Sequence, residues 1–141
     1  MILLDTDHLT LLSYPENPRC QTLKARMHAS LDQDIGTTII SVEEQWRGWF
    51  AVIARHRDVR RQVKAYEELV ELHAFLSDWT IMSFDDRAAD RFEQNRAAGV
   101  RIGTMDLKIA SIALVYDALV LSANLSDFQK VPGLRVENWL S

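Results

Sequence analysis

Acidic side chains follow several apolar segments of this chain directly. Asp5 ends the apolar run Ile2–Leu4, Glu44 follows the β-branched run TTII, and Asp127 comes shortly after the run LVLSAN. A fourth acid, Asp106, falls in the first turn of a predicted helix. An ionised carboxylate at the edge of a hydrophobic core loses hydration, so it needs a cation, a hydrogen-bond donor or a helix N-terminus nearby. If these acids converge, their chemistry predicts a site for Mg²⁺ or Mn²⁺, hard cations that prefer oxygen ligands.

Each acid also has a structural interpretation when it is taken singly. Asp5 could cap the helix that follows it, and Ser41 with Glu44 matches the S-x-x-E capping box. Asp106 would gain from the helix dipole in a first turn, and Asp127 stands in a turn-like segment where Asp is common. The joint placement of the acids at the ends of successive apolar segments favours a shared site over unrelated structural roles.

The elements that must position these acids alternate between strands and helices. Predicted strands cover Ile2–Leu4, Gly36–Ile40, Thr80–Ser83, Ala118–Ser122 and Leu134–Glu137. Predicted helices cover Asp7–Ser13, Arg19–Leu31, Ser41–Ala54, Val59–Leu76, Asp86–Ala98 and Thr104–Tyr116. This alternation predicts an α/β fold with a parallel sheet covered on both faces, and such sheets bind ligands at the carboxyl ends of their strands.

Composition narrows the class of protein. The chain has 141 residues, of which 48% are hydrophobic and 26% charged, and this is typical of one soluble globular domain. A single cysteine, Cys20, excludes an internal disulfide and fits a reducing cytoplasm, and we expect neither a secretory signal nor a membrane span. The net charge of −4 argues against nucleic-acid binding through overall positive potential, although two bound divalent cations would bring it to zero.

A basic stripe is predicted on one side of a helix, at spacing i, i+3, i+4 and i+7. It consists of Arg57, Arg60, Arg61 and Lys64. Such a stripe could contact an RNA backbone. A solvated helix face is the alternative interpretation, because Glu67, Glu68 and Glu71 follow on the same helix.

An aromatic stripe is predicted on the preceding helix. It consists of Trp46, Trp49, Phe50 and Ile53. Packing in the core is one interpretation, and a groove that captures the helix of a protein partner is the other.

Taken in order, the segments "ILLDTD", "TIISVEEQWRG", "GTMDLKIASIAL" and "LVLSANLSDFQKVPGLRVENW" resemble the PIN-domain ribonucleases, in particular the VapC-type toxins of bacterial toxin–antitoxin pairs. The resemblance covers nearly the whole chain. It implies a single PIN-like domain over residues 1–141, a three-layer α/β/α sandwich with a central, mostly parallel sheet of four or five strands. It also implies RNA cleavage that depends on Mg²⁺ or Mn²⁺, a small antitoxin as partner and a homodimer.

The resemblance assigns the catalytic and metal-binding roles residue by residue. The matching acids are Asp5, Glu44, Asp106 and Asp127. Glu44 is preferred to Glu43 because the family acid stands four residues before a glycine, here Gly48. Polar residues expected to support the phosphate or the metal ligands are Thr6, Ser122 and Asn124. His8 is expected to pack or to face solvent and not to act as a ligand.

Two other functions stay open from the sequence. A haloacid-dehalogenase-like phosphatase fits Asp5-Thr6-Asp7 as a nucleophile pair and could use Asp85-Asp86 and Lys108, although Leu9 stands where that motif expects threonine. A catalytically inactive module that binds RNA or protein is the second alternative, and the presence of all the matching acids speaks against it.

Overall fold

A five-stranded sheet, parallel throughout, forms the centre of the protein. The computed structural model describes residues 1–140. The strands are β1 (Ile2–Leu4), β2 (Ile35–Thr38), β3 (Ile81–Met82), β4 (Leu119–Leu121) and β5 (Arg135–Glu137), in the spatial order β3-β2-β1-β4-β5. The helices are α1 (Thr6–Leu11), α2 (Pro18–Ala29), α3 (Ile39–Arg55), α4 (Val59–Leu76), α5 (Asp86–Ala97), α6 (Thr104–Val115) and α7 (Leu125–Phe128).

Helices cover both faces of the sheet. Leu3 of β1 packs into one hydrophobic cluster with buried residues of α5 and α6, such as Ala88 and Leu107. Ile2 and Leu4, which point to the opposite face, pack with residues of α1, α2, α3 and α4. The predicted three-layer α/β/α sandwich is therefore confirmed. No helix within residues 1–140 is long and apolar enough to cross a membrane.

The connections between the strands change direction at β1, which lies at the centre of the sheet. The chain runs from β1 outward to β2 and β3 on one side, and it then adds β4 and β5 on the other side. The carboxyl ends of β1 and β4 lie next to each other, since the Asp5 N–H donates to the Leu121 carbonyl at 2.9 Å. In parallel sheets this reversal opens a crevice at the carboxyl ends of the two strands.

The predicted strands and longer helices are present, with small shifts at their ends. The largest shift is between β2 and α3, because α3 begins at Ile39 and not at Ser41. Thr38 caps this helix, and its hydroxyl accepts the Ser41 N–H at 3.2 Å. The predicted S-x-x-E capping box starting at Ser41 is therefore wrong, since Ser41 already lies inside the helix. The short helix α7 was not predicted, because four residues give no helical periodicity.

Gly36 of β2 is required by the close approach of a neighbouring backbone. A Cβ atom at this position would lie 2.6 Å from the Thr80 carbonyl oxygen, just before β3. Gly48 differs, because a Cβ atom there would meet nothing within 4 Å. The pairing of β2 with β3 therefore depends on the absence of a side chain at Gly36.

We predict that Gly36→Ala lowers the free energy of unfolding by about 1–3 kcal/mol, because the added methyl group pushes against backbone that cannot rotate away. Urea denaturation measures the change. Gly48→Ala is the matched control and should raise stability by about 0.5–1 kcal/mol, because alanine is favoured over glycine inside a helix. Equal stability of the Gly36→Ala variant and the unchanged protein would contradict the prediction.

Candidate functional site

Asp5 ends β1 at the crevice, and its carboxylate is buried with two donors. Oδ1 accepts the Thr6 N–H at 2.7 Å, and Oδ2 accepts the Ser122 hydroxyl at 2.7 Å. Burial raises the pKa of Asp5, hydrogen bonds from Ser122 and Thr6 lower it, and the charges of Asp7 and Asp106 raise it, so that the net direction is upward. Asp5 thus caps α1, as one interpretation of the sequence held, and it also takes part in a cluster of acids.

Glu44 of α3 faces the same crevice. Burial, followed by the negative charges of Asp5 and Asp106, raises the pKa of Glu44 to about 7. Within residues 1–140, no partner in hydrogen-bonding geometry is found for its buried Oε1 atom or for the buried Thr6 hydroxyl. An interaction with the Thr6 side chain nevertheless offsets part of the rise in the Glu44 pKa. Glu43 points elsewhere and forms a salt bridge of 2.6 Å with Arg47 on the surface of α3. Of the two neighbouring glutamates, Glu44 is the one that lies with the other acids.

Asn124 joins the remaining two acids. Its side-chain amide donates to Asp106 Oδ2 at 3.0 Å and to Asp127 Oδ2 at 3.1 Å. Burial raises the pKa of Asp106 more than the hydrogen bond from Asn124 lowers it. The pKa of Asp127 is lowered by hydrogen bonds from Asn124 and Lys130, and the ammonium of Lys130 lies 3.3 Å from Asp127 Oδ1.

The predicted acids therefore lie in one region but differ in their surroundings. Asp5, Glu44 and Asp106 repel one another, whereas Asp127 is paired with Lys130 at the exposed edge. Within residues 1–140, no three His, Cys, Asp or Glu side chains stand close enough together to form a ready metal site. The carboxylates have the chemistry of a site for a divalent cation, and they would have to move together to hold one.

The pair formed by His8 and Asp7 supports the crevice from behind. His8 is fully buried, and its Nε2 atom accepts the Trp139 N–H at 3.1 Å. Nε2 therefore carries no proton, and Nδ1–H donates to Asp7 Oδ1 at 2.5 Å. Asp7 Oδ2 accepts the Ala123 N–H at 2.9 Å.

This pair links the first helix to both segments that follow the last two strands. Burial would raise the pKa of Asp7, but the hydrogen bonds from His8 and Ala123 together lower it. His8 packs in the interior, as expected, and it also holds Asp7 in place.

A groove of about 820 Å³ opens from the candidate site between α1, α3 and α4. Thr6 and Glu44 line the end of the groove at the acids, and Trp49, Leu72 and Phe75 are among its apolar lining residues. Its acidic lining residues besides Glu44 are Glu16, Glu68 and Glu71. The groove is therefore both apolar and negatively charged.

The aromatic stripe does not lie in one groove, contrary to that interpretation of the sequence. Trp49 lines the large groove, whereas Trp46 lines a separate hollow of about 200 Å³ with His73. The rings of Trp46 and Phe50 contact each other in a tilted arrangement, with their centroids 5.8 Å apart. Phe50 is half exposed. Helical spacing places all four residues within an arc of about 100° on α3, with Ile53 between Trp49 and Trp46.

The basic stripe is exposed and lies away from the acids. Arg57 precedes α4, and Arg60, Arg61 and Lys64 occupy its first half. The groove contacts α4 further along, from Glu68 to Phe75. An RNA contact by these four residues stays a prediction.

No protein-family model matches the sequence. Two curated relatives are similar to part of it. The tRNA(fMet)-specific endonuclease VapC of Salmonella typhimurium is 32% identical over 75 residues, which are 50% of this chain and 57% of that protein. Ribonuclease VapC2 of Rickettsia felis is 31% identical over 85 residues, which are 57% of this chain and 63% of that protein. The matched segments thus span less than two thirds of these relatives.

Solved structures are similar along the whole chain. The crystal structure of DNA-bound VapBC from Salmonella typhimurium contains a chain that superimposes with a TM-score of 0.72 at 21% identity, and the match covers 98% of this chain and 97% of that one. The chain has the PIN fold of VapC proteins. The family resemblance seen in the sequence is thereby confirmed at the level of the fold, and the partial sequence matches point to the same group of proteins.

We predict that the Glu44 carboxyl destabilises this VapC-like fold as the pH rises. Its pKa is raised from 4.5 to about 7, so the folded state resists ionisation that the unfolded state allows. Relative to Glu44→Gln, the unchanged protein should lose stability progressively between pH 4.5 and about 7 and should lose no more above that range. Thermal unfolding in the presence of a chelator measures the difference.

Glu43→Gln is the matched control, because Glu43 lies outside the acid cluster. Mg²⁺ or Mn²⁺ added above pH 7 should raise the melting temperature of the unchanged protein and of Glu43→Gln more than that of Glu44→Gln. Identical pH profiles for the unchanged protein and Glu44→Gln would show that folding does not raise the pKa of Glu44.

We predict that His8→Ala lowers the free energy of unfolding by about 2–4 kcal/mol, because it opens a cavity and leaves Asp7 Oδ1 and the Trp139 N–H without partners. Urea denaturation provides the measurement. His8→Gln keeps an acceptor for the Trp139 N–H and should recover part of the loss. A cost below about 1 kcal/mol for His8→Ala would contradict a supporting role for the pair.

Proposed function

We propose that this chain is a divalent-metal-dependent endoribonuclease that hydrolyses RNA phosphodiester bonds and is the toxin of a type II toxin–antitoxin pair. The observation that carries the proposal is the crowding of Asp5, Glu44 and Asp106 at the strand-order reversal of a VapC fold. The partial matches to proteins named as an endonuclease and a ribonuclease support the same reaction.

Mg²⁺ or Mn²⁺ fits the donors of this site. The carboxylates offer hard oxygen ligands, they raise one another's pKa, and the buried Oε1 atom of Glu44 has no hydrogen-bond partner among residues 1–140. We propose that Asp5, Glu44 and Asp106 hold one cation, and that Asp127 completes a second site or orients the attacking water. When bound, a divalent cation would supply Lewis-acid polarisation of a phosphodiester and would lower the pKa of water toward neutrality.

The polar residues of the site would keep these acids in position. Ser122 and the Thr6 N–H orient the carboxylate of Asp5, and the Asn124 amide holds Asp106 and Asp127 at a fixed separation. Such outer partners fix the rotamers of ligands and tune their basicity. We therefore propose Thr6, Ser122 and Asn124 as positioning residues.

The groove between α1, α3 and α4 is the proposed binding site of an antitoxin. It runs up to Thr6 and Glu44, so a segment bound there could cover the acids. Its apolar walls and acidic residues favour a partner segment that alternates apolar and basic side chains. Similar solved structures include VapBC2 from Rickettsia felis and VapBC from Salmonella typhimurium, which supports a partner of this class.

We further propose that residues 1–141 act as one PIN-like domain, that the chain forms a homodimer, and that it works in the cytoplasm. The continuous sheet, which uses strands from both ends of the chain, supports the single domain. Cys20 is a buried free thiol, and a chain without disulfides suits a reducing compartment.

The contacts of Asp85 speak against the phosphatase alternative. Its second pair of acids would have to serve the same site as Asp5. Asp85 instead caps α5 through the Ala88 N–H at 3.0 Å and forms a salt bridge of 3.0 Å with Arg87. Both interactions give Asp85 a structural role.

We predict that the purified chain cleaves structured RNA in the presence of Mg²⁺ or Mn²⁺ and that a chelator stops the reaction. Asp5→Asn and Glu44→Gln should each slow cleavage by about 100-fold or more, because each removes a charged ligand. Gel analysis of cleavage products over time provides the rates. Glu43→Gln should cleave at the unchanged rate, since its side chain pairs with Arg47.

The alternatives give different results in the same experiment. A phosphatase would hydrolyse p-nitrophenyl phosphate rapidly and would leave RNA intact. An inactive binding module would retain RNA at every metal concentration without cutting it. Either result, obtained with folded protein, would overturn the proposed nuclease.

A further inference from the structure

Asp7 accepts hydrogen bonds at both ends of its carboxylate. The Nδ1–H of His8 donates to Oδ1 at 2.5 Å, and the backbone N–H of Ala123 donates to Oδ2 at 2.9 Å. The buried His8 ring is fixed from its other side as well, because the Trp139 N–H donates to Nε2 at 3.1 Å. These contacts form one hydrogen-bonded relay, which consists of Trp139, His8, Asp7 and Ala123.

The loop at the end of this relay carries the side chains that orient the acids. Ala123 stands between Ser122 and Asn124. The Ser122 hydroxyl donates to Asp5 Oδ2 at 2.7 Å and accepts the Asn124 N–H at 3.0 Å. The Asn124 amide donates to Asp106 Oδ2 at 3.0 Å. Through the two neighbours of Ala123, the relay reaches both of these acids.

We propose that Asp7 is a positioning residue of the acid site and does not bind the metal. Its carboxylate fixes the Ala123 N–H and thereby the separation of the Asp5 and Asp106 carboxylates. Outer partners of this kind commonly orient metal ligands, and their loss weakens metal binding. This role rests on the proposed function, since a divalent cation is what the acids would bind, and it makes the end of the chain near Trp139 part of the site.

The contacts of Asp7 differ from those of an uncommitted metal ligand. Both of its oxygens accept an N–H group, whereas no partner in hydrogen-bonding geometry is found within residues 1–140 for Glu44 Oε1. Asp7 does not cap α1 either, because the Thr6 N–H donates to Asp5. The two donors compensate the negative charge of Asp7 without a cation.

The relay requires an acceptor at both ends of residue 7, which an ionised carboxylate provides and an amide does not. In Asp7→Asn, an NH₂ group that faces Ala123 meets its N–H directly. An NH₂ group that faces His8 forces Nδ1 to accept, so the ring proton moves to Nε2 and meets the Trp139 N–H. Each orientation of the amide therefore brings two donors together, although the side chain keeps its size.

The first test uses the metal-free protein. The ¹H–¹⁵N spectrum contains the Ala123 amide, whose proton signal lies downfield while it donates to a carboxylate. We expect Asp7→Asn and His8→Leu to move this signal upfield, because both variants interrupt the relay. Glu44→Gln removes a proposed metal ligand outside the relay and should leave the signal in place.

The second test measures the affinity of the site for Mn²⁺ by titration calorimetry, without RNA. We expect Asp7→Asn and His8→Leu each to weaken Mn²⁺ binding about tenfold or more. The double variant should bind no more weakly than the weaker single variant, because both changes interrupt one relay. His8→Gln keeps a donor for Asp7 and an acceptor for the Trp139 N–H, so it should restore most of the affinity.

The third test separates positioning from a general loss of structure. At saturating Mn²⁺, Asp7→Asn should lower kcat for RNA cleavage about tenfold and change KM less than about threefold, because the acids and not the RNA contacts are displaced. Asp58→Asn is the matched control. Asp58 caps α4 through the Arg60 N–H at 2.9 Å, and Asn caps helices equally well, so both constants should stay unchanged. Thermal unfolding verifies that each variant is folded.

The outcomes distinguish this role from the proposed function. A chain that binds no Mn²⁺ would contradict the proposed function, and the Ala123 signal would then decide the positioning alone. Unchanged Mn²⁺ affinity in Asp7→Asn and His8→Leu would overturn the positioning role. Weak Mn²⁺ binding in Asp7→Asn, with the Ala123 signal in place and normal binding in His8→Leu, would make Asp7 a metal ligand and the proposal wrong. If Asp7→Asn does not fold, the comparison of His8→Leu with His8→Gln decides.

Discussion

The structure depends on how negatively charged side chains are accommodated at the carboxyl edge of the sheet, by hydrogen bonds at some positions and by burial at others. A parallel sheet whose strand order reverses at β1 brings the residues after β1 and β4 together, so Asp5, Ser122 and Asn124 meet although they are far apart in the chain. Asp5 receives two hydrogen bonds, whereas Glu44 is buried, is repelled by the neighbouring acids, and has one oxygen without a hydrogen bond from the part of the chain that the structure describes. The Glu44 carboxylate therefore lowers the folding stability, and locally unfavourable contributions of this kind are typical of functional sites.

The N-terminal and C-terminal parts of the chain jointly build this edge. His8 is held between Asp7 and the Trp139 backbone, and Asp7 in turn holds the Ala123 N–H next to Ser122. A buried neutral histidine with both ring nitrogens paired is stable, while losing either partner leaves a buried polar group unsatisfied. The position of the loop after β4 is therefore coupled to the packing of the last residues of the chain.

Three faces of helix α4 lie in different surroundings. One face packs on the core through Ala65, Leu72 and Leu76, another lines the groove that leads to the acids, and a third exposes apolar side chains between Val59 and Val70. A single helix can serve three purposes because successive residues point about 100° apart around its axis.

The sequence by itself determined the elements and the residue types of the site. Hydrophobic periodicity set the bounds of α4 at Val59–Leu76, and the acids after β1, β2 and β4 follow from local order along the chain. Only the tertiary structure decided which side chains meet. It turned Glu44 toward Asp5 and Glu43 toward Arg47, assigned the cap of α3 to Thr38, and separated Trp49 from Trp46. Periodicity fixes the face of a helix that packs inward, but partners across the fold depend on the order of strands and the approach of helices, which no local pattern encodes.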